Sequence, residues 1–116
     1  GGADAFDVET DTFDGGERAL DKVGYSFDGV VVTDIRMPGM DGITLMARIH
    51  EIDPDIPVIL VTGHGDVQLA VRAMREGAYD FIEKPFSAQQ LADSAGRALD
   101  RRRLVLENRR LRAAAG

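Results

Sequence analysis

Val30-Val31-Val32-Thr33-Asp34-Ile35-Arg36-Met37-Pro38-Gly39-Met40-Asp41-Gly42 is the stretch that decides the fold. Three β-branched apolar residues run straight into an aspartate, and such an unbroken run reads as a parallel strand covered on both faces. Pro38, Gly39 and Gly42 then force a loop, which puts Asp34 at the carboxyl end of the strand. Open α/β sheets bind their ligands along that edge. A carboxylate there can be a nucleophile, a metal ligand or both, or it can merely cap the next turn. The stretch alone does not choose.

Outward from it the same pattern recurs. Val58-Ile59-Leu60-Val61-Thr62 is a second buried strand broken by Gly63-His64-Gly65, and Phe81-Ile82-Glu83 is a third that runs into Lys84-Pro85. Asp41 can cap a helix with Ile43, Met46, Ala47 and Ile49 on one face, ended by Pro54 and Pro57. Asp66 can cap another in which Val67, Ala70, Val71 and Met74 share a stripe, with Gly77 as its C′ residue. Ser87 and Gln90 form a capping box for a last helix that meets no strong breaker before Gly116. Upstream, Phe6 to Phe13 alternates weakly, as an acidic edge strand would. Asp14 and Glu17 then open a short helix with Ala19, Leu20 and Val23 inward, stopping near Gly24. Strands alternating with helices imply right-handed crossovers and a parallel, doubly wound sheet of the α/β class.

A chain of 116 residues is one domain. Zero cysteines exclude a disulfide framework and thiolate metal sites and fit a cytoplasmic setting. No apolar run approaches the roughly 20 residues of a membrane span, so no membrane partner is expected. The net charge of −6 argues against direct nucleic-acid binding. That charge is uneven. Residues 1–28 carry eight acids against Arg18 and Lys22, whereas residues 101–116 carry six arginines against Glu107. A tail so unlike its domain reads as a connector or interaction helix.

Asp34, Thr62 and Lys84 end three successive strands. A carboxylate can attack phosphorus to give an acyl phosphate, a hydroxyl can donate to the new oxygens, and an ammonium can neutralise them. Transfer between two anions also calls for a divalent metal, to which Asp34 and the backbone carbonyl of Arg36 could contribute. Each residue alone is ordinary. The ordered trio is specific.

VVVTDIRMPGMDG, VILVTGHGD and GAYDFIEKPF together resemble the sequence blocks of response-regulator receiver domains, over roughly residues 6 to 100. The resemblance implies a flavodoxin-like parallel sheet, Asp34 as phosphoacceptor, Thr62 as switch hydroxyl and Lys84 as phosphate-pairing cation. It also implies Phe81 as a rotating aromatic, a cis bond between Lys84 and Pro85, Mg2+ as cofactor and a histidine kinase as partner. TGHGD, AYDFIEKPF and RRLVLENRRLR are similar to one subclass, the activators that work with the alternative sigma factor. In that subclass a helical connector leads to ATPase and DNA-binding modules of a longer parent.

The pattern is incomplete at its start. The family opens with a strand ending in two adjacent acids that hold magnesium, followed by a helix, and this chain begins where the second strand is expected. In the family's strand order 2-1-3-4-5 the missing strand is central. Its loss predicts that Phe6–Phe13 has no neighbour and that the partner edge of Val30–Thr33 is bare, so a longer physical protein is expected, with a fragment completed by a partner chain as the alternative. No early acids form an adjacent pair at the end of an apolar run, and magnesium binding as written is expected to be weak or absent.

The receiver is assigned to residues 1–98 and a coiled-coil connector to 99–116. Leu104, Asn108, Leu111 and Ala115 follow a 4-3-4 spacing, which predicts a parallel homodimer through the last helix, with Asn108 setting register and the arginines decorating the coil. His64 and His50 are read as surface residues, and the four methionines as packing. Two other functions compete with a phosphoacceptor switch. A haloacid-dehalogenase-like phosphatase would want a second aspartate where Arg36 stands. A truncated or pseudo-receiver would serve only as a dimerisation module.

Overall fold

The computed structural model describes residues 24–37 and 39–115, and residues 10–12 as backbone. The helix expected after Asp14, and the rest of the Phe6–Phe13 strand, lie outside the described residues. Strands β1 (Thr10–Thr12), β2 (Val30–Asp34), β3 (Val58–Thr62) and β4 (Asp80–Glu83) form a parallel sheet in the order β1-β2-β3-β4. Helix α1 (Gly42–Ile52) joins β2 to β3, α2 (Val67–Arg75) joins β3 to β4, and α3 (Ala88–Ala115) closes the chain.

Both faces of the sheet are covered, which is why its strands are apolar without alternation. Val31, Val58 and Leu60 face Leu45, Met46 and Ile49 of α1 and Ala70 and Ala73 of α2. Val30, Val32, Ile59, Val61 and Ile82 face Leu91, Ala95, Ala98 and Leu99 of α3. Asp41 caps α1 by accepting from the Thr44 N–H at 2.7 Å, and Ser87 caps α3 by accepting from the Gln90 N–H at 3.0 Å. Gly77 ends α2 at φ +119°, where a Cβ would be strained.

Several sequence expectations are corrected here. Thr10–Thr12 pairs directly with Val30–Val32, so that strand has a neighbour and the edge of β2 is occupied. A buried β-branched strand with an unpaired ladder is costly, and the short strand fills the vacant side. On α1 the inward residues are Leu45, Met46 and Ile49, and Ala47 is exposed. On α2 only Ala70 and Ala73 are buried, because small residues let the helix approach the sheet; Val71 and Met74 turn outward. His50 is half-buried, its ring beside Gly77 and its Nε2 3.0 Å from the Ile56 carbonyl.

The largest correction concerns the tail. The arginines do not simply decorate it: Arg102 is fully buried. Its guanidinium donates to the carbonyls of Phe27 and Tyr25, both at 2.9 Å, and to Asp53 at 2.8 Å. Arg109 sits seven residues on, two helical turns along the same face. It grips both oxygens of Asp53 at 2.7 and 2.9 Å and lies 3.9 Å from the centre of the Tyr25 ring. Asp53 also accepts from the Asp55 N–H at 3.0 Å. Burial alone would raise the Asp53 pKa, but the hydrogen bonds from Arg109, the Asp55 N–H and Arg102 outweigh it and hold the carboxyl well below the usual range.

Removing one partner of a buried, hydrogen-bonded ion pair strands the other. Arg102→Ala is expected to cost about 3–5 kcal/mol in urea unfolding, against less than about 1 kcal/mol for the exposed Arg101→Ala, which loses only its contact with the half-buried Tyr79 ring. Because the folded pKa of Asp53 lies below its unfolded value of about 3.9, its contribution is complete above that pH and fades as pH falls below it. The urea midpoint of the chain should therefore drop below about pH 4, and part of that drop should vanish in Asp53→Asn.

Candidate phosphoacceptor site

Parallel pairing aligns the strand ends. Asp34 ends β2 opposite Val61, Thr62 ends β3 opposite Glu83, and the Lys84 N–H continues the ladder by donating to the Thr62 carbonyl at 2.8 Å. The Ile35 N–H does the same to Val61 at 2.9 Å. Chain direction turns at each of these points, so side chains leave the sheet together on one edge.

Lys84 Nζ stands 3.1 Å from Asp34 Oδ1, with both side chains about half exposed. They open onto a hollow of about 170 Å³ walled also by Arg36, Gly63 and Asp66. Thr62 behaves differently. It is fully buried, its hydroxyl donates to the Gly63 carbonyl at 3.1 Å, and it does not line the hollow. A buried hydroxyl satisfies itself on the nearest backbone oxygen when nothing else is offered. The Lys84–Pro85 peptide is cis. Phe81 is half-buried against the core on the α1 and α2 face. Asp80, its neighbour, accepts from the Phe81 N–H at 2.8 Å and from Ser94 of α3 at 2.7 Å, tying β4 to the last helix.

The loop after Asp34 closes tightly. The Gly42 N–H donates to the Ile35 carbonyl at 2.7 Å, and a Cβ on Gly42 would lie 2.3 Å from the Asp34 carbonyl oxygen. Only glycine fits between the start of α1 and the Asp34 backbone.

Arg36 forms a two-pronged pair with Asp66, both contacts at 2.9 Å. The Arg36 hydrogen bond lowers the Asp66 pKa, and that same bond raises the pKa of Arg36. Asp66 was expected to cap α2, yet it makes no side-chain cap bond. A bidentate, charge-assisted contact outcompetes a single N–H. His64 is almost fully exposed and lies 2.9 Å from Glu83, as a surface loop histidine can.

Among the described residues the donor set for magnesium is thin. Mg2+ takes near-octahedral oxygen coordination, commonly from one or two carboxylates with waters and substrate phosphate. No group of three acids, histidines or cysteines that could hold a metal occurs among the described residues. Asp34 is engaged by Lys84 and Asp66 by Arg36. Among the described residues, one carboxylate already paired with Lys84 and the Arg36 carbonyl make a poor site for a resident ion.

On the last helix, Leu104 and Leu111 are 71% and 58% exposed, and Asn108 is exposed between them. By helical rotation Leu104 and Leu111 lie on the side opposite Arg102 and Arg109, with Asn108 on the flank beside them. The residues that sequence reasoning missed are Asp53, Arg102 and Arg109. The seven-residue spacing of the two arginines, continuing the Leu91-Ala95-Ala98 stripe, was the available signal.

The response regulator receiver domain profile matches residues 3–95. The chain is similar to the C4-dicarboxylate transport transcriptional regulatory protein DctD of Rhizobium meliloti (strain 1021), at 56% identity over 104 residues, covering 90% of this chain and 23% of that protein. The DctD protein of Pseudomonas aeruginosa is 69% identical over 86 residues, covering 74% of this chain and 19% of that protein. The chain thus spans about a fifth of the length of these relatives. Among solved structures, the receiver domain of NtrX from Brucella abortus is similar at 41% identity with a TM-score of 0.72, covering 79% of this chain and 78% of that one. A response regulator receiver domain protein from Clostridium thermocellum gives 38% identity and 0.70, covering 77% and 70%.

Gly42→Ala should cost about 1–3 kcal/mol by overpacking, with the strain read as exchange broadening of the Asp34 and Ile35 amide signals in NMR.

Proposed function

The chain belongs to the response-regulator receiver domain family, and from that membership we propose that it is a phosphoacceptor switch working through Asp34. The observation that carries the reading is the contact between Lys84 Nζ and Asp34 Oδ1 at the mouth of an open hollow. An Asp34 carboxylate oxygen attacks the phosphorus of a phosphohistidine on a kinase. The P–N bond breaks, the imidazole leaves with the electron pair, and an acyl phosphate forms on Asp34. Lys84 moves its charge from the carboxylate to the new phosphoryl oxygens, which carry more charge and accept more strongly.

Thr62 then has a better acceptor than the Gly63 carbonyl. Its rotation toward the phosphoryl group vacates space beside Phe81, which turns inward and alters the surface of β4 and α3. Receiver domains as a family use Mg2+ during phosphorylation. Here the described donors support weak binding at most, through Asp34 and the Arg36 carbonyl. The kinase partner, a cytoplasmic setting and control of a downstream ATPase and DNA-binding module complete the reading. No helix is long and apolar enough to cross a membrane among the described residues.

We further assign residues 99–116 to a connector that pairs two copies in parallel through Leu104, Asn108 and Leu111. Large apolar side chains this exposed on one helical stripe favour a partner of the same pattern, and a lone Asn sets its register.

Incubation with a small phosphodonor and magnesium should add one phosphoryl mass to the chain. Asp34→Asn should abolish it, Lys84→Ala should slow it by about a hundredfold or more, and Thr62→Ala should retain it while losing the shift of the Phe81 ring signals. Unchanged mass in the wild-type chain would overturn the reading. Leu104→Lys with Leu111→Lys should convert a sedimenting dimer into a monomer.

A further inference from the structure

The buried cluster at the far end of the molecule has no part in phosphoryl transfer. Asp53 follows the last turn of α1 and caps it, its N–H donating to the Ile49 carbonyl at 2.9 Å. Two arginines from the last helix converge on this single carboxylate, one fully buried and one about a quarter exposed. Between them they also hold the Tyr25 carbonyl, at 2.9 and 3.1 Å, just ahead of β2. Arg109 reaches Asp55 at 3.2 Å as well.

This arrangement is more than a packed helix end. The apolar contact of α3 with the sheet ends at Leu99. Beyond it the helix runs on to Ala115, and the described bonds that tie this extension to the domain are made by arginines. A helix extending past its core with no such ties would pivot at residue 99 and carry no fixed direction into whatever follows. Two guanidinium forks at positions 102 and 109 fix two points about 10 Å apart along the axis, and two points define a line. The fork geometry matters, because a point charge on a flexible stem would tolerate many directions.

The other end of α1 lies against the acceptor. Gly42, its first residue, touches the Asp34 carbonyl, and Asp53 follows its last. An eleven-residue helix about 16 Å long therefore has the phosphoacceptor's backbone at one end and the connector's anchor at the other. We propose that Asp53 is a positioning residue that sets the direction in which the connector helix leaves the receiver, with Arg102 as its permanent tie and Arg109 as its releasable one. Arg102 cannot leave without exposing a buried pair. Arg109, stacked on an exposed Tyr25, can let go into solvent. A small tilt of α1 is then carried to the connector through this joint, independently of the surface formed by β4.

The test uses the whole 116-residue chain and amide hydrogen exchange resolved by segment. Arg109→Gln should speed exchange across residues 103–112 about tenfold while leaving β2 and β3 protected as before. Arg110→Gln, which removes equal charge from a pair made only within the helix to Glu107, should not. Arg109→Lys should restore protection only in part. Spin labels at Arg48 and Ala113 should give a narrow distance distribution in the wild type and a broad one in Arg109→Gln. Matching exchange in the Arg109 and Arg110 variants would overturn the proposal, as would faster exchange spread evenly over the whole chain. Asp34→Asn should leave the latch untouched, so failure of phosphorylation and failure of the latch are read separately.

Discussion

The parallel ladder between Val30–Asp34 and Val58–Thr62 is the constraint on which the rest of the molecule depends. Parallel pairing sends both strands in the same direction, so each connecting helix must cross over and both faces of the sheet become buried. It also brings Asp34 and Thr62 to one edge in register, with Lys84, just past β4, locked to them by its bond to the Thr62 carbonyl. The site is thus a by-product of sheet geometry. No loop has to be folded separately to bring carboxylate and ammonium within 3.1 Å.

The two ends of the sheet do different work. At the carboxyl end Asp34 and Lys84 stay about half exposed and open to solvent, as the proposed phosphoryl acceptor requires. At the amino end Asp53 and Arg102 are sealed from water, the carboxylate accepting from both arginines and the Asp55 N–H. A buried ion pair contributes little net stability over an apolar substitute, but it is unforgiving about geometry. That property suits a joint whose task is to hold an angle. The outward stripe of α3 completes the division: one side of the helix grips its own domain, and the other side presents Leu104 and Leu111.

Much of this was legible in the residues themselves. Unbroken β-branched runs ending in Asp34 and Thr62, caps at Asp41 and Ser87, and breakers at Gly63 and Gly77 are local signals, readable because strand burial and helix capping act over a few residues. Glycine at position 42 was visible as a turn residue, whereas its close approach to the Asp34 carbonyl was not. Helix faces were less certain. Ala47 and Val71 satisfy the periodicity as well as Leu45 and Ala73 do, and only the distance between helix and sheet decides which side chain size is admitted.

By itself the sequence determined the α/β class, the order of strands and helices, and the trio of polar residues at the strand ends, because these follow from periodicity and punctuation along the chain. Tertiary structure alone decided that Thr10–Thr12 pairs with β2, that Asp66 serves Arg36 instead of its own helix, and that Arg102 and Arg109 fold back onto Asp53. Those partners are separated by 20 to 56 residues. Charge and hydrogen-bonding capacity can be read from a residue's name, but which opposite group lies within 3 Å is settled only when the crossovers have brought distant segments side by side.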